Sequence, residues 1–417
     1  MVSRPLVPGE RRAAGCVRIA VLLFVLLAPR EEASGQARPV TRSEVLAAAL
    51  ARAPRAALAR ADSATAGAEL VAAHRYDNPT LALEHTRSTP RQHISLELPT
   101  WVPAQRSLRI RSADAAFVAA TLRARFDIEG TRYDADTAYT HALVAHERAR
   151  LSARSAADAD SLVTLARLRR DAGDGSELDV QLAELSAGQF ANAAALDSLG
   201  ATSTLYSVQS AMGLTSPTVV IALADSLDAS STDGELAGGT PLLVAAAESE
   251  VRAAELTLSL ERGSIFTAPS LTVGFERQEP GGTGNQVLPT IGLSLPLPLF
   301  NRNHGGVLVA QAQLDRSSAL LRVAQVETSA ATALAEREQA IARERLTRTQ
   351  ALVSGAERVA ALSLLAFREG AAALPSVLEA QRSSRDTRTQ YVEALGAVRD
   401  AASRLRLLRL TTNLSGR

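Results

Sequence analysis

The chain has one cysteine, one tryptophan and 3% aromatic residues in 417 positions. Its basic residues are all arginine. Cys16 stands before an apolar run near the N-terminus, so no disulfide within the chain is available and no thiol chemistry is expected. Charge of one sign is missing too. The formal net charge is +1, and setting aside residues 1–37 leaves basic and acidic groups in near balance. Such a balance gives no electrostatic reason to expect a nucleic-acid partner. Histidines 74, 85, 93, 141, 146 and 304 show no metal-ligand spacing. His141 and His146, five apart, fall on different helix faces and read as solvated. Gly281-Gly-Thr-Gly284 looks like a phosphate loop but joins two strands and leads into no helix, so it reads as a hairpin tip. The many Glu/Arg pairs read as solvated i, i+4 pairs rather than acid–base machinery. No enzyme activity, metal site or cofactor is expected.

Long apolar runs are also lacking. The one at Ile19–Ala28 is about half the roughly twenty residues a membrane helix needs. Arg4, Arg11, Arg12 and Arg18 precede it, and Gly35-Gln36-Ala37 supplies small residues after it, so residues 1–37 read as a secretory signal. Cys16 lies on the wrong side of the core for a lipid anchor. No later run approaches a membrane helix, so any crossing of a bilayer must use strands in a closed barrel.

What is present is a duplication. Leu96-Glu-Leu-Pro99 aligns with Leu293-Ser-Leu-Pro296 at an offset of about 197 residues, and the same offset sets Gly173 on Gly370, Asp179 on Ser376 and Val180 on Val377. Upstream, Asn78–Glu84 matches Ala268–Gly274 at an offset smaller by seven, the difference falling in the loop between paired strands. Each copy reads helix, strand, turn, strand, very long helix, tight turn, helix. Thr41-Arg-Ser-Glu44 has capping-box spacing, and Pro54 interrupts the helix it starts, with a second stretch running to about His74. No proline occurs from Ala104 until Pro217, and good helix formers dominate. The run Ala104–Arg170 would extend on the order of 100 Å, and His304–Glu369 repeats it. Such helices need a coiled-coil or tubular architecture. On the helices alone, a tube and a lumenless coiled-coil scaffold are equally open.

The strands break the tie. Leu81, Leu83 and His85 alternate with Ala82, Glu84 and Thr86, and Ile94, Leu96 and Leu98 alternate with Ser95 and Glu97. In the second copy Leu271, Val273 and Phe275 alternate with Thr272, Gly274 and Glu276, and Ile291, Leu293 and Leu295 with Thr290, Gly292 and Ser294. Period two puts the apolar members on one face, as in a membrane barrel. Four strands cannot close a barrel, so several protomers must complete it. Pro99 and Pro103, and Pro296 and Pro298, mark the junction where strands hand over to helices. Trp101 sits there as an interfacial or a packing residue.

Together these features resemble the TolC-like outer membrane efflux family. The closest stretch, Pro289-Thr-Ile-Gly-Leu-Ser-Leu-Pro-Leu-Pro-Leu-Phe-Asn-Arg-Asn-His-Gly305 with Val309-Ala-Gln-Ala-Gln-Leu314, looks like the family's second strand-to-helix junction. Its PLPLF-N-R-N form and the Asn78–Glu84 strand are similar to the CzcC-like, heavy-metal branch. Gly173-Asp-Gly-Ser-Glu-Leu-Asp-Val180 and Gly370-Ala-Ala-Ala-Leu-Pro-Ser-Val377 resemble the family's periplasmic turns. By that resemblance, Gly173, Asp174, Gly175, Ser176, Leu178, Asp179, Val180, Gly370, Leu374, Ser376 and Val377 form tips that meet an adaptor. Read locally, Gly173 and Gly370 end helices, while Ser176, Asp179 and Pro375 begin the returning ones. The second tip departs from the family by carrying Ser376 where the family usually has Asp.

The expected fold is mainly α with a small β part: duplicated long hairpins forming an α-barrel, and four strands per protomer in a trimeric twelve-stranded barrel. The expected division is a signal at 1–37, a first repeat at 38–213 (strands about 80–86 and 92–98, hairpin 104–213) and an equatorial linker at 214–240. A second repeat follows at 241–410 (strands about 270–277 and 287–295, hairpin 304–409), with a tail at 411–417. The resemblance implies a Gram-negative outer-membrane location with a periplasmic helical extension, and a passive homotrimeric conduit. It also implies a periplasmic adaptor (membrane fusion) protein, an inner-membrane RND-type pump and outer-membrane lipid as partners. The alternatives are a periplasmic coiled-coil adaptor or scaffold, or, within the family, a drug-efflux or type I secretion channel.

Overall fold

The computed structural model describes residues 38–85, 92–100, 103–214, 221–228, 239–264, 269–277, 287–295, 297 and 302–411. Residues 1–37, Trp101, Pro296, Pro298 and the Gly281–Gly284 loop lie outside them.

Strand β1 (Arg38–Val40) leads into α1 (Arg42–Arg52), whose N-terminus carries the capping box of Thr41 with Glu44. Pro54 opens α2 (Pro54–His74), where its missing N–H is harmless. Then come β2 (Thr80–His85), β3 (Gln92–Pro99), α3 (Pro103–Asp171) and α4 (Glu177–Ala211). After a short β4 (Ile221–Leu223) the plan recurs as α5 (Leu242–Gly263), β5 (Ser270–Arg277), β6 (Val287–Ser294), α6 (His304–Arg368) and α7 (Leu374–Leu408). Helices α3 and α6 have 69 and 65 residues. At 1.5 Å per residue each is roughly 100 Å long.

The helices form a layer. Next to the sheet, α3 packs between α2 and α5, and α5 packs on α6; toward the far end α3 lies between α4 and α7, and α7 packs on α6. Strand order β2-β3-β5-β6 follows the same sequence across the layer. Each strand therefore continues into, or out of, the helix beneath it, and sheet and helices make one wall.

Small residues hold the wall together. The buried seam of α6 runs Ala310, Ser317, Ala324, Thr328, Ala335, Ala342, Thr349, Ala360 and Phe367. Its seven-residue steps are broken by one of four and one of eleven, which keeps the stripe closer to the straight-helix repeat than an unbroken heptad would. Between α3 and α7 the approach is tighter still: a Cβ on Gly396 would collide with the Val144 side chain.

On one side of α3 an equatorial cluster is built from Val40, Val45, Ala135, Tyr139, Leu143, Val208 and Ile221. Here β1 and β4 pair in parallel, Arg38 opposite Ile221. The alternation that marks the four longer strands was not legible in these three-residue segments. Fully buried Tyr139 donates its hydroxyl to the Val40 carbonyl at 3.0 Å and to Asp225 Oδ2 at 2.9 Å.

One sequence expectation needs correction. Many Arg/carboxylate pairs join different helices rather than adjacent turns of one: Arg148 with Asp197 at 2.9 Å, Arg388 with Glu357 at 2.8 Å and Arg404 with Glu338 at 3.0 Å. His141 is exposed, as expected, and also shares a 2.8 Å hydrogen bond with Asp400 on α7. These contacts have one cause: helices this close present their polar flanks to each other, which a single-helix wheel cannot reveal. One stretch of α6 is also apolar enough by composition to cross a bilayer. It lies on a helix packed against α5 and α7.

Candidate functional site

Register makes the apolar face of the sheet continuous. Leu83, Ile94 and Phe275 stand side by side, as do Leu81, Leu96, Val273 and Ile291, and then Leu98, Leu271 and Leu293. Most of these are exposed, Leu83 at 70%, Ile291 at 78% and Leu293 at 72%. Water does not favour such a surface, and a patch this broad marks a lipid or protein contact. The opposite face carries Ala82, Ser95, Gly274 and Thr290 in one row and Glu84, His93 and Glu276 in another. Gly274 is required where it stands, because a Cβ would meet the Ile94 carbonyl oxygen at 2.8 Å. The edges of β2 and β6 have no strand partner among the described residues.

At the junction, Pro99 still belongs to β3, opposite Ser270, and pairing runs one residue further, Thr100 N–H donating to the Pro269 carbonyl at 2.8 Å. The ladder therefore ends just after Pro99 rather than at it. Pro103 is the first residue of α3. In the second repeat the role of the N-R-N motif is geometric. Asn303 takes a left-handed backbone (φ 59°) at the N-cap of α6, and its side-chain amide donates to Glu261 Oε2 at 2.6 Å and Ser264 Oγ at 2.7 Å. Asn303 thus ties the start of α6 to the end of α5. Nothing local in the motif marks Glu261 and Ser264, 42 and 39 positions away, as its partners.

At the far end both long helices stop the same way. Gly173 and Gly370 have φ of 83° and 76°. The N–H groups of Asp174 and Ala371 reach back to the carbonyls of Arg169 and Ala366, at 2.9 and 2.8 Å, closing the Schellman pattern. The returning helices start differently. Ser176 and Asp179 form a full capping box on α4, whereas Ala373 caps α7 without a side-chain bond and Pro375 sits in its first turn. Ser376 Oγ donates to the Ala373 carbonyl at 2.7 Å.

Burial divides the tip residues. Val180, Leu374 and Val377, grouped with the docking surface from sequence, are at most 1% exposed. With Leu162, Ala166, Ala183, Phe367 and Leu378 they form an apolar cluster joining the two hairpins. They cannot touch a partner unless the tips open; they fasten one repeat to the other. Gly173, Asp174, Ser176, Leu178, Gly370 and Ser376 are exposed, while Gly175 and Asp179 are half-buried. Leu178, at 67%, is the large apolar side chain left outside.

Among the described residues no group of three or more His, Cys, Asp or Glu is placed to hold a metal ion. The equatorial region instead holds a charged network with a structural look. Arg42 on α1 donates to Asp136 on α3 at 2.5 Å, Ser403 on α7 donates to the other Asp136 oxygen, and Arg399 is paired with Asp228 of the linker. Burial by itself would raise the Asp136 pKa, but the bonds from Arg42 and Ser403 outweigh it and hold the carboxyl below the usual range. Burial also raises Asp400, and the His141 bond only partly offsets it.

Residues 241–409 match the family model described as outer membrane efflux protein. The cobalt-zinc-cadmium resistance protein CzcC of Cupriavidus metallidurans is 28% identical over 338 residues, covering 78% of each chain. Its second repeat carries an outer membrane efflux protein domain. Its sequence is similar to the CzcC-like branch of that family. The nickel-cobalt-cadmium resistance protein NccC of Alcaligenes xylosoxydans xylosoxydans is also 28% identical, over 78% of this chain and 75% of its own. Two solved structures share the fold. The CusC channel has a TM-score of 0.74 at 13% identity, over 89% of this chain and 92% of its own. The outer membrane protein VceC of Vibrio cholerae has 0.71 at 15% identity, over 89% and 96%. The matching family model and VceC are both described as outer membrane proteins.

Proposed function

We propose that this chain is the exit duct of a tripartite export system: a passive homotrimer driven by an inner-membrane RND-type pump through a periplasmic adaptor (membrane fusion) protein. The observation that carries the reading is the continuous apolar face of β2-β3-β5-β6, set in line with a helical wall and ending in two unpaired strand edges. A sheet with free edges is not viable inside a bilayer, and three copies joined β6 to β2 would close twelve strands.

The helices support the same closure. Val309, Leu320, Val323, Leu334, Ile341, Leu352 and Val359 of α6 are exposed, and at 3.6 residues per turn they fall within a sector of about 60°. Leu178, Leu185, Leu196, Leu199 and Tyr206 make a matching exposed stripe on α4, at the other end of the layer. Placing α6 of one copy against α4 of the next buries both stripes around a ring. The domain division follows: two repeats, 38–213 and 241–410, about an equatorial linker at 214–240.

The names of CzcC and NccC favour heavy-metal cations as cargo. The exposed tip residues, Leu178 foremost, are the surface proposed for the adaptor. Detergent-extracted protein should sediment as a trimer and open pores in planar bilayers. A monomeric, non-conducting protein would overturn the reading.

A further inference from the structure

The polar face of the sheet holds one arrangement that neither packing nor closure requires. His93 on β3 stands directly opposite Glu276 on β5, with Nδ1 and Oε1 3.2 Å apart. Both side chains are about one-third exposed or less. Glu84 on β2 is the register partner of His93 on its other side, so a Glu–His–Glu row crosses three strands. The row lies one pair from the end of β3 that is remote from the helices, where β3 begins at Gln92 opposite Arg277. In an outer-membrane barrel that is the outward end.

We propose that His93 and Glu276 form a transient station for a divalent first-row transition-metal cation such as zinc or cobalt. The inference rests on the conduit reading and names its cargo chemistry at one place. Imidazole nitrogen selects such ions over magnesium and calcium, which prefer oxygen alone. The donor separation fits. With metal–ligand bonds near 2.0–2.2 Å, two adjacent donors lie about 2.9 Å apart in octahedral geometry and about 3.4 Å apart in tetrahedral geometry. The observed 3.2 Å falls between them, so an ion can bridge the pair without moving either strand.

Two protein donors, with water completing the shell, make a weak site, and in a conduit weakness is useful. Passage requires binding strong enough to draw an ion in and loose enough to release it, preferably at several equivalent places. Three copies of the chain would set three such pairs around one lumen. The next row inward, Ala82, Ser95, Gly274 and Thr290, has small side chains and leaves room for a hydrated ion.

The test is single-channel recording of the full-length trimer in planar bilayers at neutral pH, with zinc chloride, cobalt chloride or magnesium chloride added on the side of the strand loops. Zinc and cobalt should reversibly reduce the current of the unsubstituted protein at sub-millimolar concentration, and magnesium should not. His93→Gln and Glu276→Gln, which keep size and hydrogen bonding, should each raise the zinc concentration needed by about tenfold or more. Zinc inhibition unchanged in both variants, or equal inhibition by magnesium, would overturn the proposal. Pores indifferent to zinc would sink the station and leave the conduit standing. Failure of the unsubstituted protein to form pores would instead overturn the conduit and the station with it.

Discussion

Arg169, on the last turn of α3, donates from Nη1 to the carbonyl of Phe367 on the last turn of α6 at 2.6 Å, with its guanidinium carbon 4.7 Å from the centre of the Phe367 ring. The same guanidinium donates to the Asp174 carbonyl at 3.2 Å. One side chain therefore binds a carbonyl in the last turn of α6 and one in the turn just past α3, near helix C-termini whose dipoles favour a cation. Charge-assisted hydrogen bonds of this kind are worth about 1.5–3 kcal/mol. Arg169→Gln should speed hydrogen exchange of the amides around Asp174 and Ala371 by about tenfold or more while leaving trimer content unchanged. Unaltered exchange would show that the clamp does not hold the tips.

The tip glycines are required for their backbone rather than for space. Nothing lies within 4 Å of a Cβ built on Gly173, and only Arg169 Nη2 lies near one on Gly370. Their positive φ is the constraint, and a β-branched residue there costs about 1–3 kcal/mol. The double change Gly173→Val and Gly370→Val should abolish export in a metal-tolerance assay while the protein still reaches the outer membrane as a trimer. Full export from that variant would remove the tips from the mechanism.

Tyr139 pins the N-terminal strand and the linker to α3. Its phenol is pushed up to about 12 by burial and by Asp225. A folded pKa above the unfolded value of about 10 means that the hydroxyl stabilises the fold below pH about 10 and loses that effect as pH rises toward 12. Tyr139→Phe leaves the Val40 carbonyl without this donor and should cost about 1–3 kcal/mol at neutral pH. Thermal melts should show the gap between the two proteins closing above pH about 10; a gap constant with pH would refute this account.

Asp136 and Asp400 are shifted in opposite directions in one charged region, so their amide variants should diverge. Asp136 is lowered, so its contribution is present above the unfolded value near 3.9 and is lost as pH falls through the folded one. Asp400 is raised, so its ionised form weighs against the fold at neutral pH and its contribution is favourable only below the unfolded value. Asp136→Asn should lower Tm at neutral pH, and Asp400→Asn should raise it, with the Asp400 difference vanishing in acid. Shifts of the same sign would contradict the network as described.

Much of the architecture was legible because it rests on local patterns. Thr41 with Glu44, Pro54, the proline-free runs, Gly173 and Gly370 each act within a few residues of themselves, so spacing alone places helix starts, breaks and ends. Period two in Leu81–Leu83 and Ile291–Leu293 likewise reveals an apolar face before any partner strand is known. Contacts between distant segments were not legible. Nothing in Asp225 or Ser403 marks them as partners of Tyr139 and Asp136, and Val180 and Val377 look alike whether a tip exposes or buries them.

The sequence by itself determined a duplicated chain of very long helices and four amphipathic strands, since these follow from propensity, periodicity and repeat. Only the tertiary structure decided how the two repeats are joined. Strand register aligned four separate apolar stripes into one face, and close approach of alanine- and glycine-lined helices brought Arg169 to Phe367 and Arg42 to Asp136. It also set His93 against Glu276. The physical reason is range: hydrogen-bonded periodicity is written within a few residues, whereas packing brings together groups up to 267 positions apart, as Ser403 and Asp136 are.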